Sequence, residues 1–287
     1  MAGAKRKIGK VKHGLNFKET MHVVGSYMAK NFRLWYRFKV SFFFTLISMV
    51  VAIAIWYFMN RVLEIGFMDD YFSFVLIGIV INQYVLTTLS TYLESLKELY
   101  WSNQLEFYLT SPSRLKTFFL SSLTWTYTYA TINALLYFAI GIFIFDANLI
   151  VNPEAILIIP MLFLLIVGLS GFGLISASMF LLVDAKGEIE PISWGISTLT
   201  LLVSGVVFPF EEFLNIFPPL YYVAIVLPQT WAIHGIRGLL QGGGIGNAIP
   251  IMGILVIFAL ILFPLGVAMF RFGIRKGERV GSLAKWA

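Results

Sequence analysis

Residues Ile156–Val183 read ILIIPMLFLLIVGLSGFGLISASMFLLV, twenty-eight positions without one ionisable side chain. As an α-helix such a run extends about 42 Å, more than the roughly 30 Å of hydrocarbon in a bilayer. Five more runs of the same kind lie around it: Val40–Asn60, Phe72–Leu93, Thr117–Phe145, Glu190–Phe210 and Ala248–Phe270. Together the six hold half of the 287 residues. The composition agrees, with 59% hydrophobic and only 13% charged residues, where a soluble domain carries about a quarter charged. A soluble enzyme, a disordered chain and a disulfide scaffold are thereby excluded. The expected fold is an all-α polytopic membrane protein with six transmembrane helices.

The chain has no cysteine, so thiol chemistry and Cys-bound metals are absent. His13, His22 and His234 stand in separate segments without ligand spacing and read as surface or packing residues. No cleavable leader is expected, because 39 residues precede the first apolar run and no short apolar core with a small-residue cleavage site is visible.

Charge orients the spans. Ten Lys and Arg precede Val40, which places that end in the cytoplasm by the positive-inside rule. Threading six spans puts Lys97, Arg114, Lys116, Lys186 and five basic residues of the 271–287 tail on the same side, leaving only Arg61 and Arg237 outside. The net charge of +6 is thus membrane orientation, and no nucleic-acid partner is implied. Residues 209–247 contain a further apolar stretch, Ile216–Leu227, only 12 residues long and bounded by Pro218-Pro219 and Pro228. That length suits a re-entrant extracellular hairpin better than a crossing.

Residues 1–39 form a basic leader ending in an amphipathic helix, ahead of the 40–287 membrane domain. Phe17, Met21, Val24, Met28, Phe32 and Trp35 share one face, with Lys18, His22, Ser26, Lys30, Arg33 and Arg37 on another. A basic face opposite aromatics describes a helix lying in the headgroup layer. The cytoplasmic loop 94–116 carries Leu96, Leu99, Tyr100, Leu105, Tyr108 and Leu109 at helical spacing, with Glu94, Glu98 and Glu106, and stops before Pro112. It reads as a short amphipathic helix on the cytoplasmic face with no partner within its own chain, so that its apolar side requires a partner surface or the headgroup layer.

The span interiors lack ionisable residues, which argues against an ion-driven carrier, a charged-ring channel and an intramembrane hydrolase. Two polar stripes remain. One is Gln83, Thr87 and Thr91, with Asn82 beside it; the other is Ser193, Ser197, Thr200 and Ser204. Such stripes more often join helices than bind ligands, yet they are the only polar seams for a path. Gly168, Gly171, Gly173 and Ala177 read as a close helix contact. Gly3–Lys10 approaches a nucleotide-binding loop, but Val11 stands where Ser or Thr would hold magnesium.

Three motifs in order carry a resemblance. Asn103–Arg114 reads NQLEFYLTSPSR, Ser204–Pro209 reads SGVVFP, and Leu227–Thr230 reads LPQT, followed by Arg237 and Gly242-Gly243. The chain resembles the membrane subunits of the type-2 ABC exporters, the type V fold, over nearly its whole length. In that family the first motif is the coupling helix, written Arg-Glu-x-Gly-Thr-Leu-Glu-x-Leu-Leu-x-Thr-Pro; here Asn103-Gln104 replaces Gly-Thr.

The resemblance implies a permease, itself not an enzyme, that pairs with a second copy of itself or a related permease and with two separate ATPase subunits in a prokaryotic cell membrane. ATP and magnesium would sit on those partners, with no cofactor on this chain. Glu94, Glu98, Leu105, Glu106, Pro112 and Arg114 would couple to the ATPase. Asn82, Gln83, Thr87, Thr91, Ser197, Thr200, Ser204 and Phe208 would line a path for a drug, a lipid or a lipid-linked glycan. Pro209 and Pro228 would bound its extracellular gate. The alternatives are a secondary carrier or channel, which would need buried ionisable or carbonyl-ring elements, and a transferase acting on lipid-linked substrates, whose only acidic candidates are Asp69-Asp70 and Glu211-Glu212.

Overall fold

The computed structural model describes residues 16–63, 70–109, 112–182, 197–198 and 200–280. Among them the chain is all-helical, and five helices are long and apolar enough to cross a membrane: Lys39–Val62, Tyr71–Trp101, Leu115–Phe143, Pro153–Leu182 and Ile245–Gly277. The protein is therefore a multi-pass membrane protein. The leader before residue 16 and residues 190–196 and 199 of the expected fifth span, Ser193 among them, lie outside the described residues.

Helix α1, Phe17–Arg37, opens on a reciprocal cap: the Asn16 side chain accepts from the Phe17 amide, and the Asn16 amide donates to Glu19 at 2.7 Å. Such a box satisfies amide donors that the helix itself cannot. The expected apolar face is divided. Val24 is buried and Tyr27, Met28 and Trp35 are half-buried, while Phe17, Met21 and Phe32 stay exposed. The reason is a neighbour. α1 packs on the N-terminal end of α5, Pro112–Phe143, where Tyr27 meets Phe118 edge to face at 6.3 Å.

Helix α2, Lys39–Leu63, packs on α3 and α5 and leaves Phe43, Phe44, Ile47, Val51, Ile55 and Phe58 exposed along its length. Helix α3, Tyr71–Trp101, is the most enclosed of the long helices. Asp70 caps it by accepting from the Ser73 amide at 3.1 Å. A ladder of hydroxyls ties α3 to antiparallel α5: Tyr84 donates to Thr131 (3.0 Å), Tyr127 to Thr88 (3.0 Å), and Ser95 pairs with Ser122 (2.7 Å).

The loop expected at 94–116 is corrected here. α3 does not end at Leu93 but runs to Trp101, and the separate helix shrinks to α4, Leu105–Leu109. The helix persists past the apolar run because its buried face does: Leu96, Leu99, Tyr100 and Leu105 join Phe119, Phe180 and Leu181 in one cluster. The expectation that these apolar positions lack a partner within the chain is therefore overturned. α3 stops at Asn103, whose φ of 59° puts it in the left-handed region. The Asn103 amide bonds the Tyr100 carbonyl and the Gln104 amide bonds Leu99, at 3.1 and 3.0 Å, a helix-ending turn that Gly usually makes and Asn can make.

Helix α6, Ile158–Leu182, follows a 3-10 turn over Pro153–Leu157 and pairs with the last helix. Here the glycine reading holds. A Cβ on Gly171 would strike the Leu262 carbonyl oxygen, and one on Gly266 would strike Gly171 itself. After the break at Gly205 come a 3-10 turn at Phe210–Glu212, α7 at Phe213–Ile216, α8 at Pro218–Ile225, α9 at Pro228–Leu240 and α10 at Ile245–Val280. α8 and α9 are bent by 85°. α9 enters the bundle, packing on α3, α6 and α10, and its Ile233 and Ile236 share a core with Ile77, Leu165 and Leu255.

Candidate functional site

One face of α9 carries Thr230, His234, Arg237 and Gln241 at spacings of four, three and four residues, which stacks them on a single side of a helix. All four line a cavity of about 320 Å³ at the end of the bundle where α3 and α6 begin. Its opposite walls are Ser204, Gly205 and Pro209–Glu211, then Gly244, Asn247 and Ala248 at the start of α10. Phe74, Ser204, Thr230 and Arg237 are buried, whereas Glu211, His234, Gln241 and Asn247 are exposed at the mouth.

Arg237 organises this site. It was expected in an extracellular loop, but it is only 6% exposed. One guanidinium nitrogen donates to the Gly205 carbonyl at 3.0 Å; the other donates to Phe74 (3.0 Å) and Val206 (3.2 Å). The group also lies 3.4 Å from the centre of the Phe74 ring. The physical cause is the break after residues 200–203: the chain turns at Gly205, with φ +80°, and a helix end leaves carbonyls without partners. A planar fork with several donors can bond three carbonyls and stack on an aromatic ring at once; an ammonium cannot. Gly78 permits the approach, since a Cβ there would come within 2.8 Å of that guanidinium.

His234 and Glu211 form the rim. The His234 Nδ1 lies 3.1 Å from a Glu211 carboxylate oxygen, and the Phe210 ring meets the imidazole edge-on at 5.6 Å. Burial works to raise the Glu211 carboxyl, but the His234 hydrogen bond, its own backbone amide and the charges of His234 and Arg237 outweigh it and hold it below its ordinary value. Three polar atoms of the lining side chains find no protein partner among the described residues: Ser204 Oγ, Thr230 Oγ1 and Arg237 Nε.

The residues singled out from the sequence fall in three places. Glu94 and Glu98 are exposed on the last turns of α3, and Leu105 is buried at 2% beneath α4. Glu98 stands near Tyr27 of α1, whose phenol is pushed above its usual range by burial and then by the Glu98 charge. Glu106 lies on α4, Pro112 begins α5 and Arg114 is in its first turn. Among the path residues Asn82 and Thr91 are buried, Gln83 and Thr87 half-buried, and Thr91 donates to the Thr87 carbonyl at 2.5 Å. Ser197 is half-buried, Thr200 and Ser204 are buried and Phe208 is exposed. Pro209 lines the cavity, and Pro228 is the buried first residue of α9.

The structure does bring Ser204, Pro209 and the start of α9 together, but around Arg237, which the sequence reading had assigned to solvent. Of the acidic candidates, Asp70 is a helix cap and Glu211 an ion-pair partner; Asp69 lies outside the described residues. No group of three or more metal-ligating side chains occurs among the described residues. What the cavity offers chemically is hydrogen bonding. No protein-family model matches the chain, and no curated protein is significantly similar to it.

Proposed function

We propose that the chain is the permease subunit of an ATP-driven exporter of the type-2 ABC kind, working as a dimer with two ATPase subunits. The cargo is amphipathic or hydrophobic: a drug, a lipid or a lipid-linked glycan. In this reading both termini are cytoplasmic, Glu190–Phe210 is the fifth of six spans, and the bent pair α8–α9 is a re-entrant hairpin at the extracellular side.

The observation that supports it most is the geometry at Leu99–Leu109. The resemblance expects Gly where α3 gives way to the coupling helix, and this chain has Asn103 there in the left-handed conformation that Gly would supply. α4 then lies against the bundle through Leu105, with Phe107 exposed on its other side, and Glu98 is exposed on the last turns of α3. A short helix seated on the transmembrane core and exposed outward suits the transmission of ATPase movement to α3 and α5. Of the two stripes, half-buried Gln83 and Thr87 on α3 and half-buried Ser197 would face the path across the dimer, with exposed Phe208 at the outer end, whereas Asn82, Thr91, Thr200 and Ser204 are buried within this chain.

Co-purification with candidate ATPases, followed by ATP hydrolysis in nanodiscs with a compound panel, tests the reading. Glu98→Lys and Glu106→Lys should leave assembly intact and abolish substrate-stimulated hydrolysis. Failure of the wild-type chain to bind any ATPase, or unaltered stimulation in both variants, would overturn it.

A further inference from the structure

The charges around the α9 cavity are already answered. Arg237 is spent on three carbonyls and a ring face, and Glu211 is paired with His234. An incoming anion would meet the Glu211 carboxylate at the rim, and an incoming cation would meet the Arg237 guanidinium inside. The groups left to bind are the neutral Ser204 and Thr230 hydroxyls and Gln241 and Asn247 amides, together with the remaining N–H of the Arg237 guanidinium. Three of them are buried without a partner among the described residues. Buried polar atoms are almost always hydrogen-bonded, so some molecule with both donors and acceptors completes them.

The size narrows the choice. About 320 Å³ holds roughly ten waters at about 30 Å³ each, and it falls at the lower edge of small-molecule pockets. A hydroxylated ring is small enough to enter that space and presents donor and acceptor on most of its carbons, matching hydroxyls on the floor and amides at the mouth.

We propose that this cavity is a binding site for a neutral polyol, either free or as the headgroup of a membrane lipid. The ligand's hydroxyls bond Thr230 and Ser204 inside and Asn247 and Gln241 at the mouth, while Arg237 positions the walls. The chemistry stands apart from the exporter reading; only the side of the membrane that the cavity faces rests on it.

The chain's lack of cysteine makes the test direct. Gly244→Cys, at a lining glycine with nothing within 4 Å of the place its Cβ would take, is labelled in the full chain, in phosphatidylcholine nanodiscs, with a water-soluble maleimide. Glucose and myo-inositol are the free probes, and a monoglucosyl-diacylglycerol added to the bilayer is the lipid probe. A ligand at twice its Kd should slow labelling about threefold, and Thr230→Val in the same background should abolish the protection while melting normally. Protection by the glycolipid but not by free sugar assigns the headgroup as the source; protection by both assigns the free polyol. Glu154→Cys, on the 3-10 turn outside this cavity, should label at one rate throughout. The proposal is overturned if no polyol protects folded protein, if Glu154→Cys slows equally, or if phosphate or choline protects better. None of these outcomes depends on an ATPase, so a failed exporter assignment is read separately.

Discussion

Arg237 and Gly205 are 32 residues apart in the chain, yet the guanidinium of one donates at 3.0 Å to the carbonyl of the other. That bond fastens α9 to the chain break that precedes it, and the adjoining bond to Phe74 fastens both to α3. Three segments are held by one buried side chain.

Removing that side chain should therefore be costly. Arg237→Met keeps the stem and leaves the carbonyls of Gly205 and Val206 without their donor. Each buried group so stranded costs about 1–3 kcal/mol, so a loss of at least about 2 kcal/mol is expected. Arg237→Lys should fall between, because one ammonium cannot reproduce the fork. Thermal melting in nanodiscs, with a fluorophore on α9, reads both; a melting temperature unchanged in Arg237→Met would dismiss the clamp.

How legible was this from sequence? The long helices were, because apolar runs such as Ile156–Val183 have no other use. So was the α6 contact, since Gly171 in a helix interior makes sense only where another backbone approaches. Arg237 was not. Its partners are backbone carbonyls of Phe74, Gly205 and Val206, which no side-chain pattern records, and a lone charge between apolar stretches reads as loop by composition. A wheel drawn over Pro228–Gln241 would have shown Thr230, His234, Arg237 and Gln241 on one side. The end of α3 was misjudged for a related reason: Glu94, Lys97 and Glu98 end the apolar run, but the helix obeys its buried face and stops only at Asn103.

Asn103 gives the second prediction. Left-handed φ costs roughly 1–2 kcal/mol for a residue with a Cβ, less for Asn and nothing for Gly. Asn103→Gly should leave the turn intact, whereas Asn103→Val should fray the turn and loosen α4. Hydrogen exchange over residues 102–109 should be near wild-type in the first variant and markedly faster in the second. Equal exchange in both would mean that the turn does not depend on that conformation.

The Glu211–His234 rim sets a pH dependence. The Glu211 carboxyl is held below its ordinary value in the folded protein, so its contribution is fully present above the ordinary carboxylate range and is lost as pH falls through the folded value. The pair is half-exposed, so the stake is below about 1 kcal/mol. Lowering pH from neutral into the acid range should raise maleimide labelling of a cysteine placed at Leu214, on the segment that the pair secures. Glu211→Gln should label at the faster rate at neutral pH and respond little to acid. An acid response undiminished in Glu211→Gln would assign it to another group.

The last prediction compares two glycines. Gly171 on α6 faces the Leu262 carbonyl on α10 with no room for a methyl group, while Gly253 on α10 has nothing within 4 Å of the place its Cβ would take. Both are helical, so intrinsic propensity alone favours alanine at each by up to about 1 kcal/mol. At Gly253 that gain should appear as a modest rise in melting temperature. At Gly171 the methyl group must push two backbones apart, and backbone cannot swing aside as a side chain can. The displaced pair would also separate Gly171 from Gly266, which approaches it from α10. Gly171→Ala should therefore melt lower than the wild type, and Gly171→Val should fail to accumulate as folded protein. A stabilised Gly171→Ala would show that α6 and α10 are not packed backbone to backbone.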